Sequence, residues 1–261
     1  MRILTLLLAA LASVACAQQP AKPLRVLIVT GGCCHDYATQ RMALEKGLKE
    51  RANVVVTHAF NPSQNTNAKF EIYDKPDWHK GFDVVVHDEC TADISDEAYV
   101  ERILSAHRNG LPAVNLHCAM HSYGLGKNPK WIDFLGLQTT GHGPQRPIEV
   151  VFTEPRHPIT AGLQPWTTGN EELYNNVKLP RGGAIIRGRQ SVNGRTDDLV
   201  MGWATTYGPR NTRVFGLTLG HNNETVADSR YLDLVARGVL WAAGKLDANG
   251  KPLPGYGPVA K

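Results

Sequence analysis

Histidines follow several strand-like runs of this sequence, and imidazole is the side chain best able to exchange a proton or bind a metal near neutral pH. The runs and their histidines are residues 25–30 before His35, residues 82–87 ending in His87, residues 112–116 before His117 and His121, and residues 213–219 before His221. Parallel strands end at one edge of a sheet, where ligands of such folds bind. We therefore expect His35, His117 and His221 to line one cleft.

Two kinds of chemistry fit this set of histidines. Three neutral imidazoles can hold a Zn-like divalent metal with one position open. Alternatively, one histidine is a general base and the others hydrogen-bond a polar substrate. No H-E-x-x-H motif is present to decide between them. We predict His35, His117 and His221 as metal ligands, and His117, His121 and Glu172 as catalytic residues.

Aromatic side chains indicate the class of substrate, because flat rings with polar edges suit sugar rings. We predict substrate binding by Tyr37, Tyr123 and Tyr174, together with Asn115 two residues before His117. Further candidates for stacking on a sugar are the tryptophans Trp78, Trp131, Trp166 and Trp203. The expected partner is a small-molecule carbohydrate.

Four cysteines crowd the same predicted edge: Cys33, Cys34, Cys90 and Cys118. In an oxidising compartment a disulfide is the simplest explanation, and four cysteines allow three complete pairings. We expect at least one pair with Cα atoms about 4.4–6.8 Å apart.

Cys118 could instead be a nucleophile on a tight turn between a strand and a helix. Such an elbow needs small residues two positions away on each side of its central residue. An elbow centred on His117 has Asn115 and Ala119 at those positions, which fit better than the larger neighbours of Cys118. The spacing therefore favours His117 as the central residue.

The elements that must position these side chains alternate between strand and helix patterns, as in a parallel sheet covered by helices. Besides the runs above, residues 53–57 read as a strand, and residues 37–51, 95–109 and 228–243 as helices. Between about residues 148 and 205, three strand-like runs separated by Pro, Gly and Asn indicate an antiparallel insert. The pattern predicts one α/β domain over residues 24–244 with helices on both faces, and a surface tail over residues 245–261.

Composition narrows the class of protein further. The 261 residues are 42% hydrophobic and 20% charged, which is typical of a globular chain. Charges are interspersed, with 28 Lys and Arg against 24 Asp and Glu, so nucleic acid is not an expected partner. No glycine motif that could cradle a phosphate is present, and no nucleotide is expected.

The first residues resemble an export signal. Arg2 gives a positive start, residues 4–12 an apolar core, and Ala15-Cys16-Ala17 a cleavage site, which predicts a signal peptide over residues 1–17. The apolar run is too short to span a bilayer, so no integral membrane segment is expected. A lipid anchor at Cys16 is the alternative, disfavoured because Ser13 is unusual three residues before an anchor cysteine. We expect a secreted or periplasmic protein.

Several motifs, in their order, resemble the trehalose-utilisation (ThuA-like) family. They are residues 25–32 (RVLIVTGG), His35-Asp36-Tyr37, Asn115-Leu116-His117, Glu172-Leu173-Tyr174, Leu219-Gly220-His221, and Arg237-Gly238 with the following Trp241-Ala242-Ala243-Gly244. The resemblance implies a flavodoxin-like sheet of the class I glutamine amidotransferase type. It also implies a link to disaccharide or oxidised-sugar breakdown.

The resemblance also shapes the expected activity. Amidotransferases of this fold carry a cysteine at the elbow, whereas this chain has His117 there, so glutaminase activity is not expected. We expect processing of a disaccharide or 3-keto glycoside by histidine acid–base chemistry, with assistance from a metal as an option. The alternative is a secreted sugar-binding module without catalysis.

Overall fold

A computed structural model describes residues 21–178 and 181–259. The predicted signal peptide and Cys16 lie outside these residues. The strands are β1 (Leu24–Gly32), β2 (Val54–Asn61), β3 (Val84–Cys90), β4 (Ala113–Leu116), β5 (Arg146–Phe152), β6 (Trp166–Glu171), β7 (Gly183–Val192), β8 (Arg195–Tyr207) and β9 (Thr212–Leu217). The helices are α1 (Tyr37–Lys49), α2 (Glu97–Arg108), α3 (Pro129–Leu135), α4 (Asn223–Ala227) and α5 (Ser229–Ala242).

The nine strands of the described chain form one sheet in the order β2-β1-β3-β4-β9-β8-β7-β5-β6. The first five in that order pair in parallel, and the remaining pairs are antiparallel. The α/β prediction is therefore confirmed. The predicted antiparallel insert is an extension of the same sheet through β8, and it includes β6, which the sequence pattern did not indicate.

Helices cover both faces of the sheet because its central strands are apolar on both sides. Along β1, Val26 and Ile28 pack in the core shared with α1 and α5, whereas Leu27 and Val29 pack in the core shared with α2 and α3. This two-sided burial is typical of parallel strands. Helix ends agree with local sequence signals: Asp36 caps α1 by accepting from the Thr39 amide.

The tail folds back on the domain. Leu246 and Tyr256 pack against the core beside α5, and the Asn53 amide donates to the Tyr256 carbonyl at 3.0 Å. Among the described residues, no helix combines the length and apolarity needed to cross a bilayer.

Asp88 gives the fold a testable dependence on pH. It is buried on β3, where its carboxylate accepts a hydrogen bond from the Thr30 hydroxyl at 2.8 Å. Burial raises the pKa of Asp88 to about 8, despite that hydrogen bond. Below about pH 4 the carboxyl group is protonated in both folded and unfolded chains. As pH rises from there to about 8, unfolding increasingly releases a proton, so the fold loses stability.

We therefore expect the difference in unfolding free energy between Asp88→Asn and the parent chain to change in favour of the variant by about 2–5 kcal/mol as pH rises from about 4 to 9. Urea unfolding across this range measures the difference. Asp83→Asn is the matched control, because the Arg25 guanidinium beside Asp83 lowers the pKa of that carboxyl group. The unfolding free energy of Asp83→Asn should differ in its pH dependence from that of the parent only at acidic pH. Parallel curves of unfolding free energy against pH for Asp88→Asn and the parent would contradict a raised pKa at Asp88.

Candidate active site

Three histidines from distant parts of the chain meet at the carboxyl edge of the parallel strands. The ring centroid of His35 lies 4.7 Å from that of His117 and 4.7 Å from that of His221. The rings of His117 and His221 are 5.5 Å apart. The strand-end rule therefore placed these three side chains together correctly, although their chemical roles stay predictions.

His117 directly follows β4 in a sharp turn and is the first residue of a short 3-10 helix, His117–Met120. Its φ of +42° lies in the left-handed region, which non-glycine residues rarely adopt and which is typical of functional elbows. The Nδ1 atom lies 2.7 Å from the Thr218 carbonyl oxygen, which can only accept. Nδ1 must therefore carry the hydrogen, and in the neutral ring Nε2 keeps a free lone pair.

Glu172 is the carboxylate around which the histidines gather. Its Oε2 lies 3.5 Å from His117 Nε2 and 3.5 Å from His142 Nε2, and its Oε1 lies 3.2 Å from His221 Nδ1. The Tyr174 hydroxyl is 3.4 Å from His117 Nε2 and is placed to donate to it. One buried carboxylate thus lies within 3.5 Å of nitrogens from three imidazoles.

The backbone holds His221 in place. Its amide donates to both oxygens of Glu171, at 3.1 and 3.2 Å, and its carbonyl accepts from the Gln40 amide at 2.9 Å. Gly220 before it has φ +126°, and a Cβ there would lie 2.8 Å from the Tyr231 hydroxyl and 3.5 Å from the His117 Cβ. Only glycine allows this close approach, which brings His221 next to His117.

Burial and charge set different protonation states within the cluster. Burial lowers the pKa of His35 to about 2, reinforced by His117 and His221, so its ring is neutral. The hydrogen bond with Glu172 raises the pKa of His221. Burial alone would raise the pKa of Glu172, but its contacts with His117 and His221 outweigh burial and lower the pKa. The cluster therefore combines one neutral imidazole, that of His35, with an ionised carboxylate, that of Glu172.

This donor set fits a divalent metal. His35, His117 and His221 offer nitrogens that lie within 4.8 Å of one another. The Nδ1 atom of His35 is buried without a hydrogen-bond partner in the described structure, as expected of a nitrogen reserved for a ligand. The Thr218 carbonyl orients His117 in the way that outer partners orient metal-binding histidines.

A polar cleft of about 900 Å³ opens beside His35 and His221, but the buried His117 does not line it, contrary to the expectation from the sequence. Its lining includes the amides Gln64, Gln145, Asn170, Asn222 and Asn223, and none of the described lining residues is a tyrosine or tryptophan. Amides donate and accept hydrogen bonds, which suits a ligand rich in hydroxyl groups. Sugar recognition at this cleft would therefore rest on hydrogen bonds, and the expectation of an aromatic lining was wrong.

The other predicted residues separate into two groups. Tyr37, Tyr174 and His121 lie beside the cluster: Tyr37 packs on His35 at 5.3 Å between centroids, and His121 stacks on Tyr174 at 4.4 Å. Burial lowers the pKa of His121 to about 4. Its Nε2 lies 3.2 Å from the Thr139 hydroxyl, so it packs behind Tyr174.

Tyr123 and Asn115 are not brought to the cleft. Tyr123 is fully buried and donates to Glu89 at 2.9 Å. Asn115 is fully buried within β4, and its amide has no hydrogen-bond partner in the described structure. The tryptophans are buried as well, at 4%, 1%, 8% and 0% exposure for Trp78, Trp131, Trp166 and Trp203. Packing in the core explains Tyr123 and these tryptophans better than sugar binding.

His87 also lies away from the cluster. Because β3 continues to Cys90, His87 is inside the strand and its ring packs under α2, with Nε2 3.0 Å from His107 Nε2 and Nδ1 2.9 Å from Glu89. Two residues near the site were missed by sequence reasoning: His142 and Gln145, whose amide lies 2.8 Å from His221 Nε2. Both belong to an irregular segment before β5, where no periodic signal marks them.

The cysteines occupy the neighbouring part of the same edge, in two disulfides, Cys33–Cys34 and Cys90–Cys118. The Cα atoms of Cys90 and Cys118 are 5.0 Å apart, within the range expected from the sequence. A nucleophilic thiolate at Cys118 is not available in this oxidised form.

Fold and site together define an α/β protein of the flavodoxin-like class with a histidine-lined strand edge. A family model described as trehalose utilisation, ThuA, matches residues 25–242. The chain belongs to the ThuA family, as the sequence motifs predicted. None of the curated proteins matches this chain.

Solved structures share the fold at low sequence identity. A ThuA-like protein from Parabacteroides merdae is 21% identical, with a TM-score of 0.69 over 92% of this chain and 98% of that chain. A ThuA-like protein from Bacteroides uniformis is 18% identical, with a TM-score of 0.61 over 90% of this chain and 98% of that chain. A β-galactosidase from Bacillus circulans is 10% identical, with a TM-score of 0.56 over 88% of this chain and 32% of that chain. These likenesses show the fold.

Proposed function

We propose that the histidine cluster is the active site of an enzyme that processes a disaccharide or glycoside already oxidised to a ketone on the sugar ring. The observation that carries the proposal is the setting of His117. Its Nδ1 is held by the Thr218 carbonyl, and its Nε2 faces a buried carboxylate and a tyrosine hydroxyl. A base with a fixed tautomer and a partner for its charged form is what proton abstraction requires.

A ketone suits this equipment because it acidifies the C–H bonds next to it. His117 Nε2 removes the proton from the carbon between the ketone and the glycosidic carbon, and the electron pair expels the glycosidic oxygen, which takes a proton from the imidazolium and leaves as an alcohol. Water then adds to the resulting double bond, which completes a net hydrolysis. Ordinary glycosidases need two carboxyl groups flanking the bond. Here Glu172, 3.5 Å from Nε2, stabilises the imidazolium formed in the first step.

The remaining residues of the site bind and orient the substrate. Tyr174 is placed to donate to the lone pair of His117, and the amides of the cleft suit ring hydroxyls. A Zn-like ion held by His35, His117 and His221 would occupy the His117 Nε2 lone pair, so metal binding is the alternative to His117 as the base; when bound, the ion would supply Lewis-acid polarisation of a carbonyl oxygen. Export to the periplasm or medium, proposed from residues 1–17, would place the protein in contact with glycosides outside the cytoplasm.

Turnover separates this enzyme from its alternative, a secreted module that only binds sugar. We expect product from a 3-keto disaccharide across about pH 5 to 9 with chelator-treated protein, because the His117 Nε2 lone pair is then free to take a proton. Turnover that requires added zinc would instead assign His117 to the metal. The native disaccharide should bind but react far more slowly, because it lacks the acidified C–H bond. Saturable binding of both sugars with no product, with and without zinc, would establish the binding module instead.

A further inference from the structure

The four cysteines form a continuous sulfur cluster beside the histidines. Cys33 follows β1, Cys90 ends β3, and Cys118 follows His117 after β4, so three neighbouring strands deliver them to one place. The Sγ atoms of Cys33 and Cys90, which belong to different disulfides, are only 3.7 Å apart. This is van der Waals contact between two disulfides.

Only one of these four cysteines is exposed to solvent. Cys33, Cys90 and Cys118 are 6%, 3% and 7% exposed, whereas Cys34 is exposed and lines the cleft. A thiol from outside can therefore reach Cys34, while the Cys90–Cys118 disulfide is closed to it. Exchange rates depend on such access to the attacked sulfur.

We propose that these cysteines are a thiol–disulfide relay, in which an external dithiol reduces the cluster by two electrons and leaves Cys34 and Cys118 as thiols. A thiolate of the dithiol attacks Cys34 Sγ, and Cys33 leaves as a thiolate. Cys33 then attacks Cys90 Sγ, forming a Cys33–Cys90 disulfide and releasing the thiolate of Cys118. The second thiol of the external dithiol displaces Cys34 from the mixed disulfide. The dithiol ends as a disulfide, and the protein as one disulfide with two thiols.

The backbone holds the attacking and attacked sulfurs in register. Gly32 pairs with Cys90 across the two strands, and the Cys33 amide donates to the Cys90 carbonyl at 3.1 Å. A Cβ on Gly32 would lie 2.2 Å from that carbonyl oxygen, so glycine permits the approach. Cys34 has φ +82°, a strained conformation for a non-glycine residue, and breaking its link to Cys33 allows it to relax.

The relay ends at the candidate active site. Cys118 is the residue after His117, and a Cys118 sulfur, a Cys90 sulfur and a His35 nitrogen lie within 4.8 Å of one another. Reduction therefore frees a thiol against His35 and removes the covalent link between β3 and the His117 turn. The exchange depends on the sulfur positions alone and would occur whatever reaction the histidines perform.

Partial reduction tests the order of transfer. The purified full chain is treated with one equivalent of dithiothreitol, quenched with acid, alkylated and mapped by mass spectrometry. Cys90, Cys118 and the Cys33-Cys34 pair lie on separate tryptic peptides, as does Cys16. We expect alkylation at Cys34 and Cys118 and a cross-linked peptide joining Cys33 to Cys90. Alkylation of Cys33 and Cys34 with Cys90–Cys118 intact would overturn the proposal.

Two variants sharpen this test. Cys34→Ser leaves Cys33 free, so without any reductant part of the alkylation should appear at Cys118, whereas alkylation at Cys33 alone would contradict exchange. In the double variant Cys33→Ser, Cys34→Ser, we expect dithiothreitol to open Cys90–Cys118 at least about tenfold more slowly, because the exposed entry point is gone. An unchanged rate would overturn the relay. Circular dichroism is the check that both variants fold.

Discussion

Replacing His117 by asparagine is expected to lower kcat on a keto glycoside by about 10²–10⁴-fold, the usual contribution of a general base. Asparagine is the sharpest choice because it tolerates the φ of +42° at this position. Its side-chain amide can also donate to the Thr218 carbonyl in place of Nδ1. The substitution thus removes only the Nε2 nitrogen that faces Glu172.

The same variant should lose zinc affinity, measured by titration calorimetry, while unfolding in urea close to the parent midpoint. His79→Asn is the matched control, because His79 lies outside the cluster on the segment between β2 and β3. It should retain both turnover and zinc binding. A His117→Asn protein with kcat within about threefold of the parent would show that His117 is not the base.

Local patterns were enough to predict the parallel half of the fold. Runs such as residues 25–30 are short, β-branched and followed by helical periodicity, so each signal lies within a few neighbouring residues. The strand-end rule then placed His35, His117 and His221 together from topology alone. β6 escaped prediction because its sequence, WTTGNE, has little apolar alternation and is stabilised by pairing with β5.

Side-chain type did not predict which aromatic residues face solvent. Tyr123 and Trp131 have the same chemical character as a sugar platform, yet they pack against each other at 4.6 Å between centroids, and each satisfies its polar atom internally. His87 was misplaced by a boundary error of three residues, because β3 continues to Cys90 and buries it. Such errors arise where tertiary packing, which is absent from a local window, decides the environment.

His142 and Gln145 show the opposite limit. They reach the cluster because the segment before β5 passes over it, with the Gly143 amide donating to the Leu173 carbonyl at 3.0 Å. No residue pattern encodes that crossing, since it depends on contacts between segments thirty residues apart. The sequence thus predicted the residues delivered by strand ends and missed those delivered by loops.

Replacing Glu172 by glutamine tests whether the carboxylate charge matters to the cluster. Glutamine has nearly the same shape but cannot stabilise an imidazolium, so kcat should fall by about 10²-fold. Because the hydrogen bond with Glu172 raises the pKa of His221, that pKa should fall in the variant. The fraction of protonated His221 at neutral pH then decreases, which NMR titration of the ring protons measures directly.

Glu45→Gln is the matched control for this change. Glu45 on α1 also pairs with a histidine, since its Oε2 lies 2.7 Å from His58 Nε2, but it lies outside the cluster. The control should leave kcat and the titration of His221 unchanged. If Glu172→Gln also left both unchanged, the carboxylate would be only a packing element between His117 and His221, and the acid–base proposal would lose the group that stabilises its charged base.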